Sequence, residues 1–510
     1  MNGRRKLLTE YPFVDSFNLI DVLQKIMPDH MINQQEMAEL IAFEKNEQEP
    51  IRKKTFRPDI DNFIPDPISS YITDFKCGFE WGNPITFVQS DDDDVEDNDL
   101  LTRALSLFNQ CYRTQNIKKK QQKILRKMEI CGLGYSYVDI NTDYDAEMGD
   151  SPFIIEALDP IWTIYVRSTA YLDQRCVLAG TYRKDKSGLL HMTLFTPTVR
   201  FDCEGQSVSD LKVKMIANTL GMIPIVEWER SDDRMGCFER LIPQIEGLTL
   251  AVSDFLNDVD QNTQAIWWAH NVEFPVKEVE DENGNVTEEV IKPKNGEWLN
   301  TESPKDETNS KVQPLTIPYD YNGMLENISS TRSYILGMAH VPQRNDNSGG
   351  STGVAMDSAS GWTDAEAEAC RKAMYVSSSK MEEARLALKV CHVSPLFRDL
   401  DSPLLSLRYS DIEPNFKRSK TYDLTTKINA ICTGLSHGFA LEDLLANVPL
   451  FEDNSQVVAR SGAGVRKYQD TIYNKDNEAE GAEGEQAVNS DRLQADLSDE
   501  ISQSPNIGNA

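Results

Sequence analysis

The feature that most constrains this chain is the order of its segments between residues 236 and 392. Apolar residues recur every three or four positions over 236–259 and again over 321–341, where Pro342 ends the second pattern. At 1.5 Å per residue, about 22 helical residues form a rod about 33 Å long. A polar insert of some sixty residues separates the two patterns, so the sequence predicts two rods that carry a small module between them.

The two rods have apolar faces on which we expect them to pack, because residues three and four apart share one side of a helix. The predicted stem-packing residues are Leu241, Ile245, Leu248, Val252 and Phe255 on the first rod, and Leu325, Ile328 and Ile335 on the second.

The polar insert reads as strands and turns. Its segments at 271–279 and 286–291 alternate between apolar and polar residues, and Asn283-Gly284 lies between them. An Asn-Gly step between alternating segments is the strongest short-range signal for a β-hairpin. The insert is therefore predicted to be a β-containing module.

A polar, glycine-rich stretch follows the second rod at 343–353, and we expect it to be a mobile loop. A third helical pattern then runs to about Cys391. Residues 363–366 have the sequence of a capping box, which predicts the start of this helix. Three adjacent serines at 377–379 predict a kink in it.

The remaining segments predict an α+β body followed by more helix. A helix is expected over 101–130 and helical structure over 415–460. Strands are expected at 153–158, 161–166, 176–182, 189–196 and 211–217.

The helix predicted over 101–130 carries a basic segment, Lys118 to Lys127. Its apolar face is expected to pack inward, with the lysines outside; that face comprises Leu105, Phe108, Cys111, Ile124 and Met128. A solvated helix face is one interpretation of the lysines. A contact with DNA or with an acidic neighbour is the other.

Composition excludes several classes of protein. With 510 residues the chain exceeds what one core usually serves, so two or more modules are expected. It has no apolar run long enough for a membrane span and no signal-peptide pattern at its start, so we expect neither a membrane protein nor a secreted one. The nine cysteines are scattered singly, which favours reduced thiols over a metal site.

Catalytic motifs are missing from the sequence. It has no phosphate-binding G-x-x-x-x-G-K-[ST] loop, no H-E-x-x-H and no G-x-S-x-G, and its six histidines stand far apart. Gly132-Leu133-Gly134 lacks the third glycine of a dinucleotide fingerprint and is better explained as a tight connection into a strand. We therefore expect no enzyme activity, no catalytic residues, no cofactor and no metal.

Several segments, taken in order, resemble the portal proteins, or head-to-tail connectors, of tailed double-stranded DNA bacteriophages of the siphovirus type. They are residues 61–64 and 71–85, which end in Gly82-Asn83-Pro84; 130–138; 221–228; 351–356; and 434–453. The resemblance covers about residues 50 to 470, and it rests on the order and spacing of these segments together.

The resemblance implies the α+β portal fold, with long stem helices and a long kinked helix, assembled as a ring of twelve copies. The expected regions are an N-terminal arm (1–60), a wing (61–235), stem helices (236–259 and 321–342), a clip (260–320), a tunnel loop (343–362), a long helix returning to the wing (363–412), a helical crown (413–470) and a disordered acidic tail (471–510).

The same resemblance implies the function. The ring would form a channel at one capsid vertex through which double-stranded DNA is packaged and ejected. It would dock the large terminase subunit, contact the major capsid and scaffolding proteins, and later bind a head-completion or adaptor protein. The chain would belong to the virion, and to the host cytoplasm during assembly. The DNA-channel loop would include Gln343, Arg344, Asn345, Asp346, Asn347, Ser348 and Ser351.

The formal charge of −30 bears on how such a protein would treat DNA. DNA-binding proteins usually displace counterions with clustered Lys and Arg, whereas the expected loop contains one basic residue, Arg344. An acidic channel wall would keep a sliding duplex unbound, but acidity that only keeps the protein dissolved explains the charge equally well. The alternative function is a minor head or scaffold-associated interaction protein without a DNA channel.

Overall fold

The computed structural model describes residues 3–53, 60–90, 99–263, 266–270, 276–280, 286–290, 311–315, 320–343, 361–397, 402–418, 424–441, 444–445, 461–462 and 464–467. The chain divides into two compact units, Met1–Ser419 and Lys420–Ala510.

Both units contain helices. The first unit contains α1 (Leu19–Glu44), α2 (Ile68–Trp81), α3 (Asp99–Thr114), α4 (Ile117–Cys131), α5 (Ile242–Thr263), α6 (Tyr321–Met338) and α7 (Trp362–Val393). The second unit contains α8 (Leu424–Ser436).

The strands of the first unit are short. They are β1 (Leu7–Thr9), β2 (Thr86–Gln89), β3 (Leu133–Ile140), β4 (Phe153–Leu158), β5 (Thr163–Ser168), β6 (Cys176–Lys184), β7 (Leu190–Phe195), β8 (Val199–Gly205), β9 (Lys212–Ala217), β10 (Ile225–Glu229), β11 (Ile266–His270), β12 (Val276–Glu280), β13 (Val286–Val290), β14 (Lys311–Leu315) and β15 (Ile412–Asn415).

These strands form one large sheet and several small ones. The six-stranded sheet has the order β1-β5-β6-β7-β8-β9, in which only β1 is parallel to its neighbour. A three-stranded sheet has the order β10-β3-β4, and β15 pairs with β2. In the insert, β11 pairs with β14 and β12 pairs with β13, both antiparallel.

Three of the apolar clusters described in the first unit join its helices to its sheets and to one another. The first half of α1 covers one face of the six-stranded sheet, where Leu19 and Leu23 pack with Leu178. A second core lies among α3, α4, α7 and the three-stranded sheet, around Phe108 and Trp228. The third joins α1 and α2 to the beginning of α5 and the end of α6. The third core is where the two predicted rods meet the body.

The sequence identified much of this architecture. The fold mixes helix and strand as expected, and both predicted rods are helices. The predicted hairpin is confirmed, since β12 and β13 pair on either side of residues 281–285. Gly132 is left-handed, with φ of 80°, and it connects α4 tightly to β3 as expected.

Two helix predictions were wrong. The helix expected over 101–130 is two helices, α3 and α4. Asn116 adopts the left-handed conformation, with φ of 55°, and interrupts the helix between them. The capping box at 363–366 is not formed. Instead α7 begins at Trp362, and its N-cap is Gly361, which is left-handed and offers no side-chain cap.

Other differences concern region boundaries. Residues 1–60, expected only as an arm, contain β1 and α1, which pack into the body. Residues 412–415 form β15 and pair with β2, so this stretch belongs to the first unit rather than to a helical crown. The Ser379 hydroxyl donates to the Glu227 carbonyl oxygen at 2.9 Å, not to the preceding turn of α7. The predicted kink stays a prediction.

Candidate functional site

The two rods form an antiparallel pair with a buried base. Leu241, just before α5, and Ile245 and Leu248 in its first two turns are buried in the same core as Ile335 near the end of α6. At the other end of the pair, the Phe255 ring meets the Tyr321 ring edge to face, with 6.0 Å between centroids. The pair is therefore closed at both ends by apolar contacts.

Burial of the predicted apolar packing residues falls along the pair with distance from the body. Val252 on α5 and Ile328 on α6 are half-buried, and Leu325 is 49% exposed. Seven of the eight predicted stem-packing residues thus lie in or beside the contact within one chain. The role of all eight residues in stem packing stays a prediction.

A polar stripe on α5, formed by Thr249, Ser253 and Asn257, holds an extended segment of chain. Asn257 Oδ1 accepts from the backbone N–H of residue 62 at 2.7 Å, Ser253 Oγ from that of residue 64 at 3.1 Å, and Thr249 Oγ1 from that of residue 66 at 3.3 Å. All three side chains are buried. Residues four apart on a helix are separated by about 6 Å along its axis, and alternate residues of an extended segment are separated by about the same distance. The two series can therefore form hydrogen bonds in register.

The same extended segment reaches the second rod. Arg332 on α6 donates to Asp66 Oδ1 at 3.0 Å, while the backbone N–H of Asp66 is bound by α5. Residues 62–66 therefore bridge the two helices, and we call them the strap. The sequence analysis missed the strap, which the spacing of Thr249, Ser253 and Asn257 could have indicated.

The segment that enters α5 is wedged against the end of α4. The backbone N–H of Cys237 donates to the Glu129 carbonyl oxygen at 2.7 Å. A Cβ atom placed on Gly236 would lie 2.1 Å from the Ile130 carbonyl oxygen, and one on Gly132 would lie 2.3 Å from the Arg234 carbonyl oxygen. Only glycine fits such approaches, so these two residues fix where α5 leaves the body.

A balanced cluster of buried charges lies behind this wedge. The stem-root ion cluster consists of three cations and three carboxylates drawn from α2, α4, α7 and the residue after β10: Lys76, Arg230, Lys372, Glu80, Glu129 and Glu368.

Contacts in the stem-root ion cluster are short. Arg230 Nε lies 3.0 Å from Glu129 Oε2, and its Nη2 lies 2.6 Å from Glu368 Oε1. Lys372 Nζ donates to Glu80 Oε1 at 2.6 Å and to Glu129 Oε1 at 3.0 Å. The Trp81 indole N–H also donates to Glu129 Oε1, at 3.1 Å. Buried ions are tolerated only when paired and hydrogen-bonded in this way.

The three carboxyl groups of the stem-root ion cluster differ in the direction of their pKa shifts. Burial alone would raise the pKa of Glu129, but Lys372 and Arg230 lower that pKa to about 2. Burial likewise opposes ionisation of Glu368, yet Lys372, Lys76 and Arg230 lower its pKa. The pKa of Glu80 is raised, because its burial outweighs the attraction of Lys372. The neighbouring cations therefore favour the ionised forms of Glu129 and Glu368, whereas burial disfavours ionised Glu80.

Lys76 links the cluster to the end of the second rod. Its Nζ lies 2.5 Å from Glu368 Oε2 on α7 and 3.4 Å from the carbonyl oxygen of His340, just after α6. His340 has a left-handed φ of 51°. One buried ammonium thus contacts both described elements that border residues 344–360.

A second buried cluster, around Glu227, anchors the segment between β10 and α5. Glu227 on β10 accepts from Arg167 at 2.6 Å, from the Tyr135 hydroxyl at 2.9 Å, and from Arg234. Burial opposes ionisation of Glu227, but Arg234 and Arg167 lower its pKa. The chain that follows β10 is therefore held by ion pairs through both Arg230 and Arg234.

Of the seven residues predicted for the channel loop, the structure describes Gln343. Its side-chain amide donates to the Ser333 carbonyl oxygen on α6. The others, Arg344, Asn345, Asp346, Asn347, Ser348 and Ser351, lie outside the described residues.

The charged residues of this region are suited to holding helices together. Within the described ranges, no three His, Cys, Asp or Glu residues are grouped so that they could hold a metal ion. None of the described helices is both long enough and apolar enough to cross a membrane. The cationic and anionic groups of the stem-root ion cluster neutralise one another, which makes it suited to fixing helices in place.

Comparison with known protein families gives a match over most of the chain. The family model described as phage portal protein, SPP1 Gp6-like, matches residues 19–470. No curated protein matches the chain significantly.

Solved structures of two related assemblies resemble the chain at low sequence identity. The neck of an empty GTA particle computed with C6 symmetry is 11% identical, covers 79% of this chain and 96% of that one, and gives a TM-score of 0.39. The neck of a native GTA particle computed with C12 symmetry is 9% identical, covers 76% and 90%, and gives 0.37. The family match spans most of the sequence, and the chain belongs to the SPP1 Gp6-like family of phage portal proteins.

Proposed function

We propose that copies of this chain form a ring, expected to be a dodecamer, whose axial channel carries double-stranded DNA through one capsid vertex during packaging and ejection. The observation that carries this proposal is the antiparallel pair of α5 and α6, which is fixed at its base and is linked along the chain by two pairs of antiparallel strands. Membership of the portal family supports it.

In this proposal α5 and α6 are the stem, and the paired strands between residues 266 and 315 are the clip. The clip would dock the large terminase subunit and later a head-completion protein. Residues 343–362 would form the loop that faces the DNA. Leu325, exposed on α6, would pack against the neighbouring copy rather than within its own chain.

The charge of the chain suits a conduit better than a clamp. A net charge of −30 disfavours tight phosphate binding, so the duplex would slide without being held. The ring would reside in the virion, among major capsid and scaffolding proteins during assembly, and it would leave the chemistry of packaging to the motor.

The mass of the assembly tests the proposal. Twelve chains of 57.7 kDa together weigh about 692 kDa, and light scattering on the purified chain should find a particle of that order. A ring of thirteen would also agree, because free copies can close with a different number. Only monomers or dimers under assembly-permissive conditions would favour the alternative of a minor head or scaffold-associated protein.

A deletion tests the loop separately. Removing residues 345–352 should leave rings intact, because the stem root lies outside the deletion, but should impair packaging or retention of DNA. Normal packaging and retention by this variant would show that the loop assignment is wrong.

A further inference from the structure

Residues 3 and 4, near the N-terminus, run beside the chain that enters α5. Gly3 has a left-handed φ of 70°, and a Cβ atom placed on it would lie 1.8 Å from the Asp233 carbonyl oxygen. The backbone N–H of Arg4 donates to the Arg234 carbonyl oxygen at 3.1 Å. The N-terminal segment therefore packs against the connection between β10 and α5.

The side chain of Arg4 is fully buried and reaches the entry to α5. Its Nη2 donates to Glu239 Oε1 at 2.6 Å, and its Nε lies 3.2 Å from Glu36 Oε2 on α1. Glu239 lies just before α5, and its other oxygen, Oε2, accepts from the backbone N–H of Gly236 at 2.8 Å. Arg4 thus holds the carboxylate that binds the chain where it turns into α5.

This buried cation is incompletely satisfied. Nε and Nη1 of Arg4 make no hydrogen bond with any residue that the structure describes. A buried ion pair with unsatisfied donors adds little net stability, whereas removing one partner alone leaves a buried charge uncompensated. The pair of Arg4 and Glu239 is therefore better suited to fixing a position than to stabilising the fold as a whole.

The strand that follows Arg4 can separate from the sheet without dismantling it. β1 has three residues, lies at the edge of the six-stranded sheet and pairs with β5 in parallel. Leu7 contributes to the apolar core, whereas Leu8 is 42% exposed. The antiparallel pairs from β5 to β9 would remain without β1.

We propose that residues 3–9 form a releasable clasp, which fixes the start of α5 through Arg4. In the closed state, Arg4 holds Glu239 against the backbone N–H of Gly236. Release of the clasp leaves Glu239 buried without this cation, which favours movement of its carboxylate towards water and frees the entry to α5. The inference concerns a single chain, so it does not depend on the proposed ring.

The competing explanation is that the glycine wedge alone fixes α5. Gly236 approaches the Ile130 carbonyl oxygen closely, and Cys237 donates to the Glu129 carbonyl oxygen, and neither contact involves residues 3–9. A test must therefore weaken the clasp and leave the wedge intact.

The double variant Arg4→Met/Glu239→Gln meets this requirement in the full-length chain. Glutamine retains a side-chain oxygen for the Gly236 N–H but leaves no buried charge without a partner, so the free energy of unfolding should stay close to that of the wild type. Hydrogen exchange followed by mass spectrometry should show residues 236–248 exchanging about tenfold faster, because their local opening becomes easier. Residues 176–205, in β6 to β8, should exchange as in the wild type.

Arg5→Met is the matched control. Arg5 is the next residue in the chain, but its side chain is half-exposed and pairs with Asp29 on α1. This variant should exchange like the wild type over residues 236–248. The single variant Arg4→Met should unfold more readily than the double variant, because it leaves Glu239 buried and uncompensated.

Three results would overturn the clasp. Wild-type exchange over 236–248 in the double variant would show that the wedge is sufficient. Faster exchange confined to residues 3–9 would make Arg4 an anchor for β1 alone. A double variant that fails to fold, or that exchanges faster over 176–205 as well, would make Arg4 a general stabiliser of the first unit.

Discussion

Lys76 Nζ lies 2.5 Å from Glu368 Oε2, and this buried ion pair joins α2 to the first turns of α7. The two residues are 292 positions apart in the chain. Because Lys76 also reaches the carbonyl oxygen of His340, a single side chain ties together the helix before residues 344–360 and the helix after them.

Replacing Lys76 tests whether this tie is structural. Lys76→Met keeps the aliphatic stem but leaves Glu368 with one cation fewer, and we expect a loss of about 3 kcal/mol in the free energy of unfolding. Lys389→Met, on the exposed face of α7, should cost close to nothing. Denaturant titration measures both. The double variant Lys76→Met/Glu368→Gln should lose less than the sum of its single changes, and strict additivity would contradict a direct interaction.

The depressed pKa of Glu129 predicts a dependence of stability on pH. Its pKa is about 2 in the folded chain against an ordinary value of 4.5, so the unfolded chain takes up this proton first as the pH falls. The stability that the ionised Glu129 contributes, about 3 kcal/mol, is present above pH 4.5 and is lost between pH 4.5 and 2.

Glu129→Gln tests this dependence. The variant should be less stable at pH 7, because its cations lose a partner, but its free energy of unfolding should fall less steeply between pH 4.5 and 2. Glu326→Gln on the exposed surface of α6 is the control and should follow the wild type. Identical slopes for all three proteins would rule out Glu129 as a source of the acid sensitivity.

The hydrogen bonds of Asn257 predict how much the strap contributes to the stability of the fold. It accepts from the backbone N–H of Asn62 and donates to the Asn62 carbonyl oxygen, and Asn257→Ala would leave both groups unsatisfied. We expect a loss of about 2 kcal/mol on thermal or denaturant unfolding. Asn327→Ala on the exposed face of α6 should change stability by less than about 0.5 kcal/mol. Equal effects of the two changes would mean that the strap contributes nothing.

Two glycines near α5 are predicted to respond in opposite ways to alanine. Gly236→Ala should cost about 3 kcal/mol, because the new Cβ atom would lie 2.1 Å from a backbone oxygen. Gly247→Ala, in the middle of α5, meets nothing within 4 Å and should raise stability by up to about 1 kcal/mol. Melting temperatures of the two variants give the test, and a harmless Gly236→Ala would disprove the tight wedge.

Local pattern was enough to predict the rods and the hairpin. The spacing of Leu241, Ile245 and Leu248 carries a helical apolar face, and Asn283-Gly284 marks the turn, and both signals act within a few residues. The helix α1 gave a weaker signal. Pro28 lies inside the helix, where proline is unfavourable, and the second half of α1 buries His30 and Asn33, which form hydrogen bonds to distant residues.

The stem-root ion cluster could not be predicted in this way. Lys76 with Glu80, and Glu368 with Lys372, are opposite charges four apart on a helix, a pattern typical of exposed surface. Their burial depends on Glu129 and Arg230, which are distant in sequence. The spacing of charges within one helix does not indicate that α2, α4, α7 and the residue after β10 bring balancing charges to one point.

Electron micrographs of the purified chain will show whether its copies enclose a channel. We expect class averages of rings with an axial opening wide enough for a DNA duplex, and rotational symmetry close to twelvefold. Compact or elongated particles without a central opening, under conditions where the chain is folded, would contradict it.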